Sequence, residues 1–368
     1  MLKYKIIGQR NPVFEFFNEQ NPSLILYRIQ VIGDCHLGRK FLNGVPKNRL
    51  NHREQIVFSK FEGILNQKDY IDLYVIVGDL FDKTVISNEC LNRTIDIVKN
   101  SVLRNKNSHY FIINGNHDEV KDKNRISSFS LLKRYFTESI KLPNLNIINE
   151  YTAPIRVSKI DSLLYFSHYD PFTSNDKIDP RLVESLKSSK ENLKIIFGHF
   201  DIEDFDGNTK YNSTLISDFQ YENFNLIITG HIHKPSQFTL NNTHVVVSGS
   251  LQPFAFGEEI KEDDGLYQTM TISRCNDLLS QNIDIFKDSN VRLLYKKEEI
   301  FPSGFDCLSR TYKLIEDSSS VTASTLDIDL KNIVSFKDMI LSSLNTYKVN
   351  DPAFVEVLEE AFLNKNYE

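Results

Sequence analysis

Residues 226–235 read LIITGHIHKP: a short apolar run that stops in Gly-His-Ile-His. One exposed histidine would need no explanation. Two in alternation, His231 and His233, could turn to the same side of an extended chain and share a task. The same figure recurs outward along the chain. Strand-like runs rich in Ile, Val, Phe and Tyr stand at YRIQVIG (27–33), DLYVIVG (72–78), HYFIING (109–115), LKIIFGH (193–199), NLIITGH (225–231) and HVVVSGS (244–250). They are nearly continuous in apolar character, as expected when both faces of a sheet are covered. Between the early ones, Val57, Phe61, Ile64 and Leu65 share one helical face, and Leu91, Ile95, Val98 and Val102 share another. This alternation predicts an α/β layered domain over roughly residues 27–270.

Composition bounds the rest. The 368 residues leave room for one large domain and an accessory one, and 40% hydrophobic with 25% charged residues suits a globular chain. A net charge of −6 means that any site for a polyanion is local, or is made positive by bound metal. Cys35, Cys90, Cys275 and Cys307 show no paired spacing, so neither a disulfide framework nor a zinc ribbon follows. The first residues, MLKYKIIGQRNPVFEFF, lack the uninterrupted apolar core of a signal peptide, and no stretch approaches the roughly 20 apolar residues of a membrane span. The expectation is a cytoplasmic protein with no membrane contact.

The tail reads differently. Residues 316–329 are polar and Ser/Thr-rich, the composition of a linker. Beyond them two amphipathic helices are expected within 335–364, with Ser335 and Asp351 as N-caps and Pro352 in a first turn. Helices this short need a surface to dock on, either this chain or a partner.

Nearly every strand ends in the same chemistry: Asp34 and His36 in GDCHLG, Asp79 in GDLFD, Asn116, His117 and Asp118 in NGNHDE, His199 in GHF, and His231 with His233 in GHIH. In α/β sheets ligand sites gather at the carboxyl ends of strands, so five segments deliver Asp, His and Asn to one rim. Each alone reads as a turn or a satisfied polar residue, and His109, His168 and His244 keep that plain reading. Together they suit hard or borderline divalent ions such as manganese, iron or zinc. They are too many for one tetrahedral ion. Two ions about 3.5–4 Å apart with a bridging carboxylate would use them all. Cys35 should face away from the site as packing.

These motifs resemble those of the calcineurin-like metallophosphoesterases. Within that superfamily Leu37-Gly38 after His36, Leu80-Phe81 after Asp79, and VVVSGSLQPFAFGEE (245–259) are similar to the SbcD-type nucleases of double-strand-break processing. That branch includes the recombination endonuclease subunit of T-even phages, for which the compartment would be the host cytoplasm. The resemblance covers about residues 30–260. It implies a four-layer α-β-β-α sandwich with a smaller C-terminal accessory region and terminal helices. The chain then divides into an N-terminal extension (1–26), a nuclease domain (27–270), an accessory capping region (271–315), a linker (316–329) and a helical partner-binding segment (330–368).

By the same resemblance Asp34, His36 and His233 hold one metal, Asn116, His199 and His231 the other, and Asp79 bridges them; both ions are expected to be Mn²⁺. His117 is implied as the group over the scissile phosphate, with Asp118 fixing its tautomer. Many relatives place a second functional histidine where this chain has Asp82. The family also implies DNA as substrate, an SbcC-type coiled-coil ATPase bound through the terminal helices, and a homodimer. Independently, Arg39, Lys40, Lys47, Arg49 and Arg53 form a basic run after the first motif, and Lys121, Lys123 and Arg125 follow NGNHDE. They are candidate phosphate contacts, or else ordinary solvated charges. The same ligands would also serve a small phosphodiester or a phosphoprotein, and a non-catalytic scaffold is the remaining alternative.

Overall fold

A computed structural model describes residues 2–315 apart from 123, 173–178, 190, 203–213, 217–223, 241, 264, 298 and 303–304. The linker expected at 316–329, the helices expected within 335–364 and Lys123 therefore lie outside the described residues.

The first half comprises β1 (Leu2–Ile7), β2 (Val13–Asn18), β3 (Asn21–Ile32), α1 (His52–Leu65), β4 (Leu73–Val77), α2 (Asn88–Arg104), β5 (His109–Ile113), α3 (Ser128–Arg134) and β6 (Leu145–Ile148). The strands form one sheet in sequence order, antiparallel from β1 to β3 and parallel from β3 to β6. The second half comprises β7 (Ile155–Val157), β8 (Ser162–Phe166), α4 (Pro180–Ser188), β9 (Leu193–Gly198), β10 (Phe200–Ile202), β11 (Thr214–Ile216), β12 (Leu226–Thr229), β13 (Ser236–Leu240) and β14 (Thr243–Val247). Its main sheet runs β13-β14-β12-β9-β8-β7, parallel through its four central strands.

Alternation within the apolar runs builds four layers. In β4, Leu73, Val75 and Val77 point into a core shared with Phe166 and Phe197 of the second sheet, while Tyr74 and Ile76 pack under the helices. In β12, Leu226 and Ile228 face the shared core and Ile227 faces Leu182 and Leu186 of α4. Phe111, Phe166 and Phe197 stack across the middle at 4.2 and 5.5 Å. Each such side chain, fully buried, contributes about 1.5–3 kcal/mol. The expected helical faces are confirmed, with Val57, Phe61 and Leu65 buried on α1 and Ile95, Val98 and Val102 on α2.

The segment expected as an extension, residues 1–26, supplies β1, β2 and the start of β3, the antiparallel edge of the first sheet. In β1, Leu2, Tyr4 and Ile6 are half-buried while Lys3, Lys5 and Ile7 are exposed. An alternating edge strand lacks the continuous apolar run that marks the central strands. At the other end, β15 (Tyr267–Thr271), α5 (Ile272–Gln281), β16 (Asn290–Tyr295) and β17 (Ser309–Leu314) form a parallel three-stranded sheet with its own core, including Ile272, Cys275, Phe286 and Leu293. These elements occupy the span expected as an accessory region, 271–315, with the first strand beginning earlier, at Tyr267. Among the described residues no helix is long and apolar enough to cross a membrane.

Candidate metal centre

Strand ends β3, β4, β5, β9 and β12 meet at one rim, and tight backbone brings their side chains together. Asp79, His36 and His231 adopt φ of 46°, 45° and 74°, the left-handed region that non-glycine residues rarely occupy and that marks strained functional sites. The expectation of an extended Gly-His-Ile-His is corrected here: β12 ends at Thr229 and His231 lies in a turn. Glycine makes the approach possible. A Cβ on Gly78 would strike the His199 ring, and one on Gly115 would strike the Asp79 carboxylate.

The two histidines of the opening stretch go to different neighbours. His233 Nε2 lies 3.0 Å from His36 Nε2, and His231 Nδ1 lies 3.3 Å from His199 Nε2. Asn116 Oδ1 is 2.9 Å from that same His199 nitrogen. Asp79 Oδ2 sits between the two groups, 3.4 Å from His199 Nε2 and 3.9 Å from His36 Nε2. Asp34 accepts the His231 amide on both oxygens, at 2.9 and 3.0 Å. Two triads, Asp34–His36–His233 and Asp34–Asp79–His199, bring their ligand atoms within 4.8 Å of one another.

The outer contacts decide which nitrogens face inward. His199 donates Nδ1–H to the Val77 carbonyl at 3.0 Å, and His233 donates Nδ1–H to Glu258 Oε1 at 3.0 Å. Their Nε2 lone pairs therefore face the site. Imidazole lone pairs aimed at one another across 3.0 Å repel unless a cation or proton lies between them. A mixed set of carboxylate, imidazole and amide oxygen, in which His199 and His233 already have acceptors for their outer N–H groups, fits divalent ions. Without ions, protons fill the role. Burial pulls His199 down, but Asp79 and Asp34 outweigh it and hold the imidazole up at about 9. Burial raises Asp34 to about 6 despite His199 and His233, whereas Asp79 is held low by His199, His36 and His117 against its own burial.

A pH dependence follows. The metal-free His199 carries a proton at neutral pH that an incoming cation must displace. Apparent Mn²⁺ affinity is expected to rise about tenfold per pH unit from neutrality until the pH passes about 9, then level off. Calorimetric titration in buffers of different ionisation enthalpy reads the released proton directly.

His117 is the exposed member of the cluster, its side chain 44% accessible and its Nε2 3.9 Å from Asp79 Oδ2. The role expected for Asp118 is corrected. Its carboxylate is fully buried and accepts the amides of Leu80, Phe81 and Gly115 at 3.1, 2.9 and 2.9 Å. Burial and the charge of Asp79 push that carboxyl above the usual range. The group that orients His117 is the Asp82 carbonyl, which accepts Nδ1–H at 2.7 Å. The Asp82 carboxylate lies 3.6 Å from His36 Nδ1 and 3.8 Å from Arg39.

The basic run divides. Arg39 and Lys40, with Lys83, Thr84, Asp82, Asn116 and His117, line an open groove of about 710 Å³ over the centre. Lys47, Lys121 and Arg125 are exposed but are not among its lining residues. Arg49 and Arg53 are corrected: Arg49 pairs with Asp306 of the accessory region, and Arg53, buried, stacks on Phe41 at 3.8 Å and bonds the Tyr267 hydroxyl. Lys83 was missed although it directly follows Asp82. Glu258 was missed although it stands in the segment 245–259 that follows the histidine pair. Cys35 is buried as packing, and among the described residues His109, His168 and His244 join no ligand cluster.

Comparison with known proteins bears on the same residues. Residues 27–235 match the family described as calcineurin-like phosphoesterase. The chain is 28% identical over 262 residues to the SbcD component of the SbcCD nuclease of Staphylococcus epidermidis, covering 67% of this chain and 66% of that protein. It is 24% identical over 225 residues to the DNA double-strand break repair protein Mre11 of Methanococcus maripaludis, covering 59% and 54%. With the protein of that name from Saccharolobus solfataricus the identity is 23% over 238 residues, covering 64% and 57%. The matched stretch thus spans less than two thirds of each relative's length.

Proposed function

The chain belongs to the calcineurin-like phosphoesterases, and from that premise we propose that it is a metal-dependent DNA nuclease, cutting duplex ends and single strands. The observation that carries the substrate is the groove: on a chain of net charge −6, Arg39, Lys40 and Lys83 stand over the candidate centre beside His117. A local cationic wall next to a phosphoester-cleaving centre suits a polyanionic backbone. The nuclease and repair roles in the names of the relatives support the same reading.

Asp34, His36 and His233 would hold one divalent ion, Asn116, His199 and His231 a second, and Asp79 both; manganese suits this oxygen and nitrogen set. Such ions, when bound, supply Lewis-acid stabilisation of phosphoryl oxygens and a water acidic enough to attack. The chain's own residues do the rest. Arg39, Lys40 and Lys83 bind and orient the backbone. His117, its Nδ1–H held by the Asp82 carbonyl, would give the leaving oxygen a proton from Nε2 in its doubly protonated form, returning to the Nδ1–H tautomer. An SbcC-type ATPase held by residues 335–364, and a homodimer, complete the proposed assembly.

Binding measured against salt tests the substrate. Lys40→Ala and Lys83→Ala should each weaken DNA binding at every sequence and reduce the log–log salt slope by about 1. Arg53→Ala should leave the slope unchanged and lower Tm, because its guanidinium is spent on Phe41 and Tyr267. Turnover of bis(p-nitrophenyl) phosphate with no binding or cutting of DNA would instead favour a small phosphodiester substrate.

A further inference from the structure

Three consecutive residues of the β1–β2 turn reach the metal rim from a segment that carries no chemical motif. Arg10 is almost fully buried, its side chain 4% exposed, beside Asp263 at 5%. Its guanidinium donates Nε to Asp263 Oδ1 (2.9 Å), and Nη2 to Asp263 Oδ2 (3.1 Å) and the Glu258 carbonyl (2.6 Å). Nη1 donates to the carbonyls of His233 and Ser250, both at 3.0 Å. Asn11, at φ 50°, accepts the Gly33 amide at 3.1 Å and donates Nδ2 to the Leu251 carbonyl at 2.9 Å. Its own amide donates to the Ser248 carbonyl at 3.0 Å. Gln9 adds its amide to Glu262 at 3.0 Å.

These bonds go to one half of the centre. Gly33 precedes Asp34 and His36. The His233 carbonyl belongs to a ligand, and Glu258 is the residue whose carboxylate orients that ligand's imidazole. A buried Arg–Asp pair is weak evidence for stability, since a well-packed apolar pair often does as well. An apolar pair cannot aim donors. The planar guanidinium fork fixes three carbonyls at once, those of His233, of Ser250 and of Glu258, the residue that orients His233. Loss of outer partners of this kind typically costs about 10–100-fold in metal affinity.

We infer that the β1–β2 turn is a clamp on the Asp34–His36–His233 half of the centre, with Arg10 as its positioning residue. The clamp rests on the dinuclear reading proposed above. Losing it weakens one ion and spares the other.

Mn²⁺ titration followed by electron paramagnetic resonance tests it on wild type and Arg10→Met. Wild type should bind two ions; the variant should keep one at wild-type affinity and hold the other about 10–100-fold more weakly. Removing Arg10 leaves Asp263 buried and unpaired, so Arg10→Met/Asp263→Leu is titrated as well. That pair relieves the stranded charge without replacing the bonds to His233 and Ser250, so its second ion should remain weak. Linkage is reciprocal, so saturating Mn²⁺ should slow hydrogen exchange at the Asn11 amide of wild type. If neither variant folds, exchange decides alone. Two ions bound at wild-type affinity by a folded variant, or an Asn11 amide indifferent to Mn²⁺, would overturn the clamp. A wild type that binds no divalent ion would instead refute the dinuclear reading beneath it.

Discussion

His117→Ala is expected to lower the rate of DNA cleavage by about 10²–10⁴-fold while leaving two metal ions bound and Tm unchanged. The ring stands 44% exposed, and its Nδ1–H bond goes to the Asp82 carbonyl, so its removal strands no buried group. The alternative is visible in the structure: His36, Asp79 and His117 also bring ligand atoms within 4.8 Å of one another. A proton donor and a ligand differ in what their loss removes. Single-turnover cleavage together with metal analysis separates them. A variant that keeps both ions and cleaves slowly fits the proton-holding role. One that drops to a single ion makes His117 a ligand.

Asp118→Ala is expected to destabilise the fold by about 3 kcal/mol or more, because three buried amides lose their acceptor at about 1–3 kcal/mol each. Those amides belong to Leu80, Phe81 and Gly115, the neighbours of Asp79 and Asn116. The damage should therefore reach the metals as well: thermal unfolding should shift down by roughly 6 °C or more, and Mn²⁺ should no longer protect the variant. Differential scanning calorimetry with and without Mn²⁺ measures both. A variant of wild-type stability would mean that solvent replaces the carboxylate, and Asp118 would lose its place as the brace between the Gly-Asp and Gly-Asn-His-Asp loops.

Much of this candidate centre is legible in the linear chain because its candidate ligands stand at or just beyond the point where a continuous apolar run stops at a glycine. Runs of that kind are strands buried on both faces, and parallel strands deliver their carboxyl ends to one rim. The signal fails where the pattern is half-buried. β1 alternates Leu2, Tyr4 and Ile6 with Lys3 and Lys5, and so reads as a polar extension although it is the edge of the first sheet. It fails again where a residue's role depends on what packs against it. Arg53 and Arg39 look alike in sequence, yet one is sealed between Phe41 and Tyr267 while the other lines the groove. It also fails for the groups that hold the ligands from behind. Arg10 meets the His233 carbonyl across 223 positions, and the Asp82 carbonyl that orients His117 has no side-chain signature at all. Alternation places His231 on an extended chain, whereas it takes a left-handed φ of 74°.

The DNA nuclease reading stands or falls on release of nucleotides from a linear, end-labelled duplex, with Mn²⁺, Mg²⁺ or EDTA and with wild type beside His233→Ala. His233 is the right control because its Nε2 faces His36 and its Nδ1 is held by Glu258, so its loss should open one metal position without touching the groove. Release is expected from wild type with Mn²⁺, with none in EDTA and none from the variant. Wild-type protein that carries two ions and hydrolyses a generic phosphodiester but leaves every form of DNA intact would contradict it.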